Sequence, residues 1–313
     1  MDATGPAARI PLVVVGGWLG AGKTTLVNRL LRHAGGQRIA VLVNDFGEVG
    51  IDADLIEGGM EAGVMALAGG CLCCSYGADL VGSLRQIAAR TPPPDLILLE
   101  CSGVGLPAAV ARSAALAPEV AVQGTVGLVD VSAVRRQATE PYVGDTVGQQ
   151  LREADLLLLN HADRLDAGGL QAVQHWLAAQ APGVPQAPCS RAAVPPDLVL
   201  GLSPQRRPDG AEAAEAWPRA GDGRYRNQQP GAAKSRFRFE TRRYEGPTDV
   251  QSLAAALGAE AGLLRAKGHL RGHDGRLWRL QAMGRRVELT ALEEIDGTAL
   301  TALGLLACIS LKA

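Results

Sequence analysis

The sequence has little net charge and few aromatic residues. Its 31 basic side chains nearly balance 32 acidic ones, and aromatic residues make up 4% of its 313 residues. Dedicated nucleic-acid binders carry a basic excess, so we expect no nucleic-acid partner.

Long apolar runs are also lacking. The uncharged stretch 299–311 is shorter than the ~18 residues of a membrane-spanning helix, and residues 10–15 are too short for the apolar core of a signal peptide. We therefore expect a cytoplasmic protein without membrane contact.

The chain is long enough for two domains at about 150 residues per domain. Up to about residue 190, brief runs of Val, Ile and Leu alternate with Ala-rich helical segments, a pattern typical of a parallel sheet flanked by helices. The runs lack polar alternation, as expected of strands buried on both faces. They are residues 10–15, 39–43, 96–99, 126–129 and 156–159. An α/β domain is therefore predicted over residues 1–203.

A change of composition follows this domain. Residues 204–234 are rich in Pro, Gly, Gln, Arg and Ala, which predicts a linker. Beyond it, residues 236–241 alternate like a half-buried strand, residues 250–257 have helical character, and residues 277–283 predict another strand. We therefore expect a small C-terminal α+β domain over residues 235–313.

The most specific motif is a Walker A loop at residues 17–24, Gly-Trp-Leu-Gly-Ala-Gly-Lys-Thr, between the first predicted strand and a helical segment. In such a P-loop, backbone N–H groups and the helix N-terminus point at nucleotide phosphates. Lys23 adds a positive charge at the β and γ phosphates, and the Thr24 hydroxyl binds Mg²⁺. The residues predicted to hold the phosphates are Gly17, Gly20, Ala21, Gly22, Lys23, Thr24 and Thr25.

A second motif has the layout of a Walker B element. The apolar run 96–99 ends in Glu100 and is followed by Cys101, Ser102 and Gly103. At the carboxyl end of a strand beside the P-loop, Glu100 is predicted to act in catalysis, by holding Mg²⁺ through water or by orienting the attacking water. The Gly103 amide is predicted to contact the γ-phosphate.

Residues 44–50, Asn-Asp-Phe-Gly-Glu-Val-Gly, follow the second predicted strand. Two acidic residues and two glycines at this position predict a loop that reaches the phosphates and metal, with Asp45 as a Mg²⁺ ligand and catalytic residue. A solvent-facing polar turn explains the same pattern equally well.

A base-recognition motif follows the strand predicted at 156–159. Guanine-specific P-loop proteins carry Asn-Lys-x-Asp, and this chain has Asn160, His161, Ala162 and Asp163. The Asp163 carboxylate would accept the N1–H and the exocyclic amine of guanine, a pairing that adenine cannot make, so the motif favours GTP. His161 departs from the pattern, because it lacks the long aliphatic stem and charge of lysine.

Three of the six cysteines lie within four residues, as Cys71, Cys73 and Cys74. Three thiols at this spacing can converge on one soft ion, and we predict that they bind Zn²⁺. A fourth ligand could be water, Glu48, Cys101 or a group of a client protein. A redox pair or three core cysteines are the alternatives.

These motifs, in this order, resemble the CobW-type branch of the CobW/HypB/UreG P-loop GTPases. The resemblance extends to residues 265–268, Arg-Ala-Lys-Gly, which are similar to a short motif of that family's C-terminal domain. It implies a P-loop NTPase fold and a GTP-hydrolysing metallochaperone or metalloenzyme activator that holds Zn²⁺, or another transition metal such as cobalt, beside the nucleotide. It also implies a client metalloprotein or an enzyme of a metal-cofactor pathway, and it allows a dimer that depends on nucleotide or metal.

Two other functions remain open from the residues alone. A P-loop kinase or ATP-dependent ligase acting on a small molecule would fit if His161 marks lost guanine selectivity. A slow nucleotide switch that acts as a scaffold would fit because no glutamine or arginine finger can be assigned.

Overall fold

The computed structural model of the protein describes residues 9–34, 37–44, 64–67, 78–201, 237–292 and 303–311. They belong to two compact units. The first is Met1–Leu200 with Met283–Arg286, and the second is Gly201–Ala282 with Val287–Ala313. The predicted linker 204–234 lies outside the described residues, and the predicted domain boundaries stay predictions.

The first unit is built on a sheet of seven strands in the order β3-β2-β4-β1-β5-β6-β7, and every neighbouring pair is parallel. The strands are β1 (Ile10–Gly17), β2 (Ile39–Asn44), β3 (Val64–Leu67), β4 (Leu96–Glu100), β5 (Val120–Asp130), β6 (Leu156–Asn160) and β7 (Gln186–Pro188). This confirms the predicted α/β fold class with a parallel sheet.

Seven helices accompany this sheet in the described part of the first unit. They are α1 (Lys23–Arg32), α2 (Ala78–Ala88), α3 (Pro107–Ala114), α4 (Val134–Thr139), α5 (Gly144–Glu153), α6 (Ala167–Gln180) and α7 (Pro196–Leu200). Helices α2 and α3 share one apolar cluster with β1, β2 and β4, and helices α4, α5 and α6 share a second with β5 and β6.

Burial explains why the central strands have no polar alternation. Every residue of β4 and β6 is buried, including the polar residue that ends each strand, Glu100 and Asn160. Each leucine in these strands contributes roughly 2 kcal/mol by leaving water, whereas a buried polar group needs partners to offset its desolvation. The polar residues therefore lie at the carboxyl edge, where other loops can reach them.

The second unit has a five-stranded sheet in the order β11-β10-β9-β12-β8, in which β12 is antiparallel to both its neighbours. Its elements are β8 (Phe237–Arg243), α8 (Val250–Ala259), β9 (Leu263–Arg271), β10 (Leu277–Met283), β11 (Arg286–Leu292) and β12 (Leu305–Leu311). Helix α8 packs Val250 and Leu257 against the sheet residues Leu263, Leu280 and Leu306. This arrangement confirms the predicted α+β class. Among the helices described in both units, none is long and apolar enough to cross a membrane.

Candidate nucleotide-binding site

The turn between β1 and α1 uses backbone conformations that favour glycine. Gly17, Gly20 and Gly22 have φ values of 131°, 77° and 101°. A Cβ on Gly17 would lie 2.3 Å from the Leu128 carbonyl oxygen, so a side chain there would separate β1 from β5. Helix α1 begins at Lys23, whose side chain is buried although it is charged. The loop thus presents a lysine and a helix N-terminus together, the arrangement that suits phosphate groups.

Thr24 and Glu100 come together at the edge of the sheet. The Thr24 hydroxyl donates a hydrogen bond to Glu100 Oε1 across 2.7 Å. The register of the parallel strands produces this contact, because Glu100 is the β4 partner of Val15 in β1. A hydroxyl and a buried carboxylate are hard oxygen donors, which is the ligand type that Mg²⁺ prefers. The donor set therefore fits a magnesium ion at this position.

Cys101 follows Glu100 but lies in the apolar cluster with helices α2 and α3. Burial raises the pKa of its thiol to about 12, and the nearby Glu100 adds to this effect while Lys23 opposes it. Its position inside this apolar cluster does not favour Cys101 as the fourth metal ligand.

The turn after β4 is attached to helix α5 through Gln150, a residue that no motif in the sequence points to. The Gln150 side chain is buried, and its Nε2 atom donates to the carbonyl oxygens of Gly103 and Gly105 across 3.0 and 2.6 Å. A Cβ on Gly103 would lie 2.5 Å from Cδ2 of Leu19 in the P-loop. The predicted γ-phosphate contact at Gly103 is thus held between the P-loop and α5.

Asn160 connects the P-loop to the loop after β7. Its Nδ2 atom donates to the Ala21 carbonyl oxygen, and its Oδ1 atom accepts from the Ala192 backbone N–H, each across 2.9 Å. A Cβ on Gly22 would lie 2.5 Å from Nδ2, so the glycine makes room for this amide. Asn160 was predicted as a nucleotide contact, and in this structure both ends of its amide bond to protein backbone.

Asp163 lies in a short 3₁₀ turn after β6 and is exposed. A hydrogen bond from the side chain of Ser190 is the main cause that holds its pKa below the usual value, and the charges of His161 and Arg191 act in the same direction. An ionised carboxylate offers only acceptors, as recognition of the guanine N1–H and amine requires.

The loop that carries Ser190, Arg191 and Ala192 was missed in the sequence, although it follows a strand in the same way as the other motifs do. The backbone N–H of Ala162 donates to the carbonyl oxygen of Cys189 across 3.0 Å, which joins the two loops. Cys189 itself is buried, as expected of a small hydrophobic residue.

The remaining predicted residues, Asp45 and the thiols Cys71, Cys73 and Cys74, lie outside the described residues. Within the part that is described, no group of three His, Cys, Asp or Glu side chains could hold a metal ion. The strands before these motifs do reach the site edge, because Val43 in β2 pairs with Glu100 and Leu67 in β3 pairs with Asn44.

A parallel sheet with a P-loop and a buried carboxylate beside the P-loop threonine defines the P-loop class of nucleotide-binding domain. The model of the CobW/HypB/UreG nucleotide-binding domain matches residues 11–187, and the chain belongs to this family.

Three known proteins are similar to part of this chain. The chain is 36% identical to the "Zinc chaperone CobW" of Pseudomonas aeruginosa over an alignment of 228 residues. The alignment covers 63% of this chain and 60% of that protein. It is 35% identical over 193 residues to the "Zinc chaperone CobW" of a Sinorhizobium species, 53% of this chain and 54% of that protein. It is 30% identical over 177 residues to the "Zinc-regulated GTPase metalloprotein activator 1" of Schizosaccharomyces pombe, 54% of this chain and 43% of that protein. The chain thus spans between about two fifths and three fifths of the length of these relatives.

Proposed function

We propose that the protein is a GTP-hydrolysing metallochaperone that binds a transition metal at Cys71, Cys73 and Cys74 and couples its transfer to GTP hydrolysis. The 2.7 Å contact between Thr24 and Glu100 carries the proposal. It joins the P-loop to the strand edge where β2 and β3 also end, and the predicted metal-binding segments follow those two strands in the sequence.

The residues of the nucleotide site would have separate roles. The amides of Gly20 to Thr25 and the Lys23 ammonium would hold the phosphates, while the Asp163 carboxylate would accept from guanine. A bound Mg²⁺ would neutralise charge on the phosphate oxygens, with Thr24, Glu100 and Asp45 as its direct or water-mediated ligands. Glu100 would orient the attacking water in the nucleotide site.

Metal is the cargo in this proposal. Zn²⁺ is favoured because a set of three thiolates suits a soft ion and because relatives carry zinc in their names; cobalt is the second candidate. The recipient would be a client metalloprotein or an enzyme of a metal-cofactor pathway. An open fourth coordination position would allow the metal to pass to this partner.

The test is a Zn²⁺ competition titration on reduced protein kept free of oxygen. It compares protein without nucleotide, with a non-hydrolysable GTP analogue and Mg²⁺, and with the matching ATP analogue. We expect the GTP analogue alone to tighten Zn²⁺ binding at least tenfold, about 1.4 kcal/mol of coupling that acts equally in both directions.

Cysteine variants assign the thiols. Cys71→Ala, Cys73→Ala and Cys74→Ala should each weaken Zn²⁺ binding, whereas Cys308→Ala, which removes a buried thiol of the second unit, should not. Unchanged affinity in the first three variants would disprove the metal site. An equal gain with the ATP analogue would instead point to an ATP-dependent enzyme.

A further inference from the structure

Unusual backbone conformations are concentrated around the base-recognition motif. Among the described residues, three non-glycine residues have positive φ: His161 at 60°, Arg191 at 52° and Ala192 at 52°. The left-handed region costs such residues of order 1 kcal/mol or more, and this cost is retained where the surrounding structure fixes the loop. Here the fixing contact is the hydrogen bond from the Ala192 N–H to Asn160 Oδ1.

This loop also contacts the residue predicted to recognise the base, through Ser190, which precedes Arg191 in the sequence. Ser190 donates a hydrogen bond to Asp163, and the Arg191 charge reaches the same carboxylate. The Arg191 side chain is exposed while Ala192 next to it is fully buried, so the loop is anchored and its cation remains accessible.

Arginine has the properties that His161 lacks at this site. Its guanidinium is planar, permanently charged and carried on a long stem, and it stacks on flat π systems. A histidine side chain is shorter and has no flexible aliphatic stem. The loop after β7, which contacts Asp163 through Ser190, thus carries a charge and a long stem of the kind that a lysine at position 161 would supply.

We propose that Arg191 is a specificity-determining residue of the nucleotide site, where it covers the guanine ring and takes the role of the missing lysine. The ligand class is a 2-amino-6-oxopurine nucleotide. The proposal rests on the proposed guanine-nucleotide binding, and it adds that affinity and base selectivity depend on a residue outside the Asn160 to Asp163 motif.

The experiment measures the dissociation constants of fluorescently labelled GDP, ADP and XDP with Mg²⁺ for the full chain. Arg191→Gln removes the charge but keeps an unbranched side chain. The free-energy cost of the positive φ at this position is similar for both residues, so the variant tests the guanidinium rather than the backbone. We expect it to weaken GDP binding about tenfold, which is 1.4 kcal/mol, and ADP binding less than twofold. Arg90→Gln, at an exposed arginine that follows α2, is the matched control and should leave both constants unchanged.

Rescue gives the sharper result. His161→Lys should restore most of the GDP affinity that is lost in the Arg191→Gln background. Such non-additivity is expected when two side chains can perform one role. If Arg191→Gln leaves the ratio of the GDP and ADP constants unchanged, or if His161→Lys restores nothing, the proposal is wrong.

Asp163→Asn separates this failure from failure of the proposed function. Guanine recognition by Asp163 predicts that this variant loses GDP and gains XDP, because xanthine presents an acceptor where guanine has its amine. If wild type prefers GDP and Asp163→Asn shows this exchange, but Arg191→Gln has no effect, only the role of Arg191 is disproved. If wild type binds ADP as tightly as GDP, the guanine selectivity of the proposed function is disproved, whatever Arg191→Gln shows.

Discussion

Gln150 donates a 2.6 Å hydrogen bond to the carbonyl oxygen of Gly105, 45 residues earlier in the chain. The same Nε2 atom reaches the Gly103 carbonyl oxygen, so one buried amide holds both ends of the turn that follows the Walker B strand. Helix α5 thereby fixes the segment predicted to contact the γ-phosphate.

Replacing Gln150 should therefore affect both stability and turnover. Gln150→Ala leaves two carbonyl oxygens without this donor, and we expect a loss of about 1–3 kcal/mol in the free energy of unfolding. GTP hydrolysis should fall further than the folded fraction explains. Denaturant unfolding and single-turnover hydrolysis measure the two effects. Gln149→Ala, on the same helix with a bond to Glu153, is the control and should change neither by much. Equal effects of both variants would rule out a special role for Gln150.

Glu100 should be needed for chemistry more than for binding. Glu100→Gln keeps an oxygen that can accept from Thr24 but removes the charge beside the predicted Mg²⁺. We expect hydrolysis to fall at least a hundredfold while GDP affinity changes only severalfold. Chelation of Mg²⁺ by EDTA should lower wild-type hydrolysis to a similar extent. Glu140→Gln, at an exposed carboxylate paired with Arg136, should behave as wild type. Normal turnover in Glu100→Gln would contradict the assigned role.

Asn160 should couple nucleotide affinity to the position of the P-loop. Asn160→Ala removes the bonds to Ala21 and Ala192 and leaves a buried N–H unsatisfied, a cost of about 1–3 kcal/mol. Asn160→Asp keeps the acceptor for the Ala192 N–H but places a carboxylate oxygen against the Ala21 carbonyl. GDP titrations should show weaker binding in both variants, and thermal unfolding should show the larger loss in stability for aspartate, because its charge is buried against a carbonyl oxygen. Wild-type GDP affinity in both variants would show that the hydrogen bonds of Asn160 to Ala21 and Ala192 are not needed for binding.

Lys267 should make the stability of the second unit depend on pH. Burial lowers the pKa of its ammonium from 10.5 to about 8, and Arg265 and Arg279 contribute to this decrease. Between pH 8 and 10.5 the unfolded chain therefore binds more protons than the fold, so this residue makes stability rise as pH increases. At pH 7 the buried charge costs the fold about 3 kcal/mol.

Lys267→Met removes this cost because it keeps the length of the side chain without its charge. We expect the variant to be more stable than wild type at pH 7 and to show a smaller gain in stability from pH 7.5 to 9.5. Urea unfolding at several pH values, followed by tryptophan fluorescence, to which Trp278 of this unit contributes, measures both. A Lys312→Met variant controls for the loss of one lysine. Parallel pH profiles for wild type and Lys267→Met would contradict the effect of burial.

Local patterns in the amino-acid sequence are enough to predict the fold class and to locate the nucleotide motifs. Unbroken apolar runs predict strands buried on both faces, and a glycine-rich loop between a strand and a helix indicates a phosphate site, because both signals are local in the chain. Glu100 and Asn160 could be selected for the same reason, as polar residues at the ends of buried strands.

Which distant groups meet at the site depends on tertiary packing. The contacts of Gln150 with Gly103 and Gly105 and of Asn160 with Ala192 depend on how a helix and two loops converge at the sheet edge, and no periodicity in the sequence encodes that convergence. The same is true of Cys101, whose thiol lies in the apolar core although it directly follows Glu100, and of the loop with Arg191, which contacts Asp163 through Ser190. These features are set by packing between elements far apart in the chain, where register and burial rather than local residue preference fix each side chain.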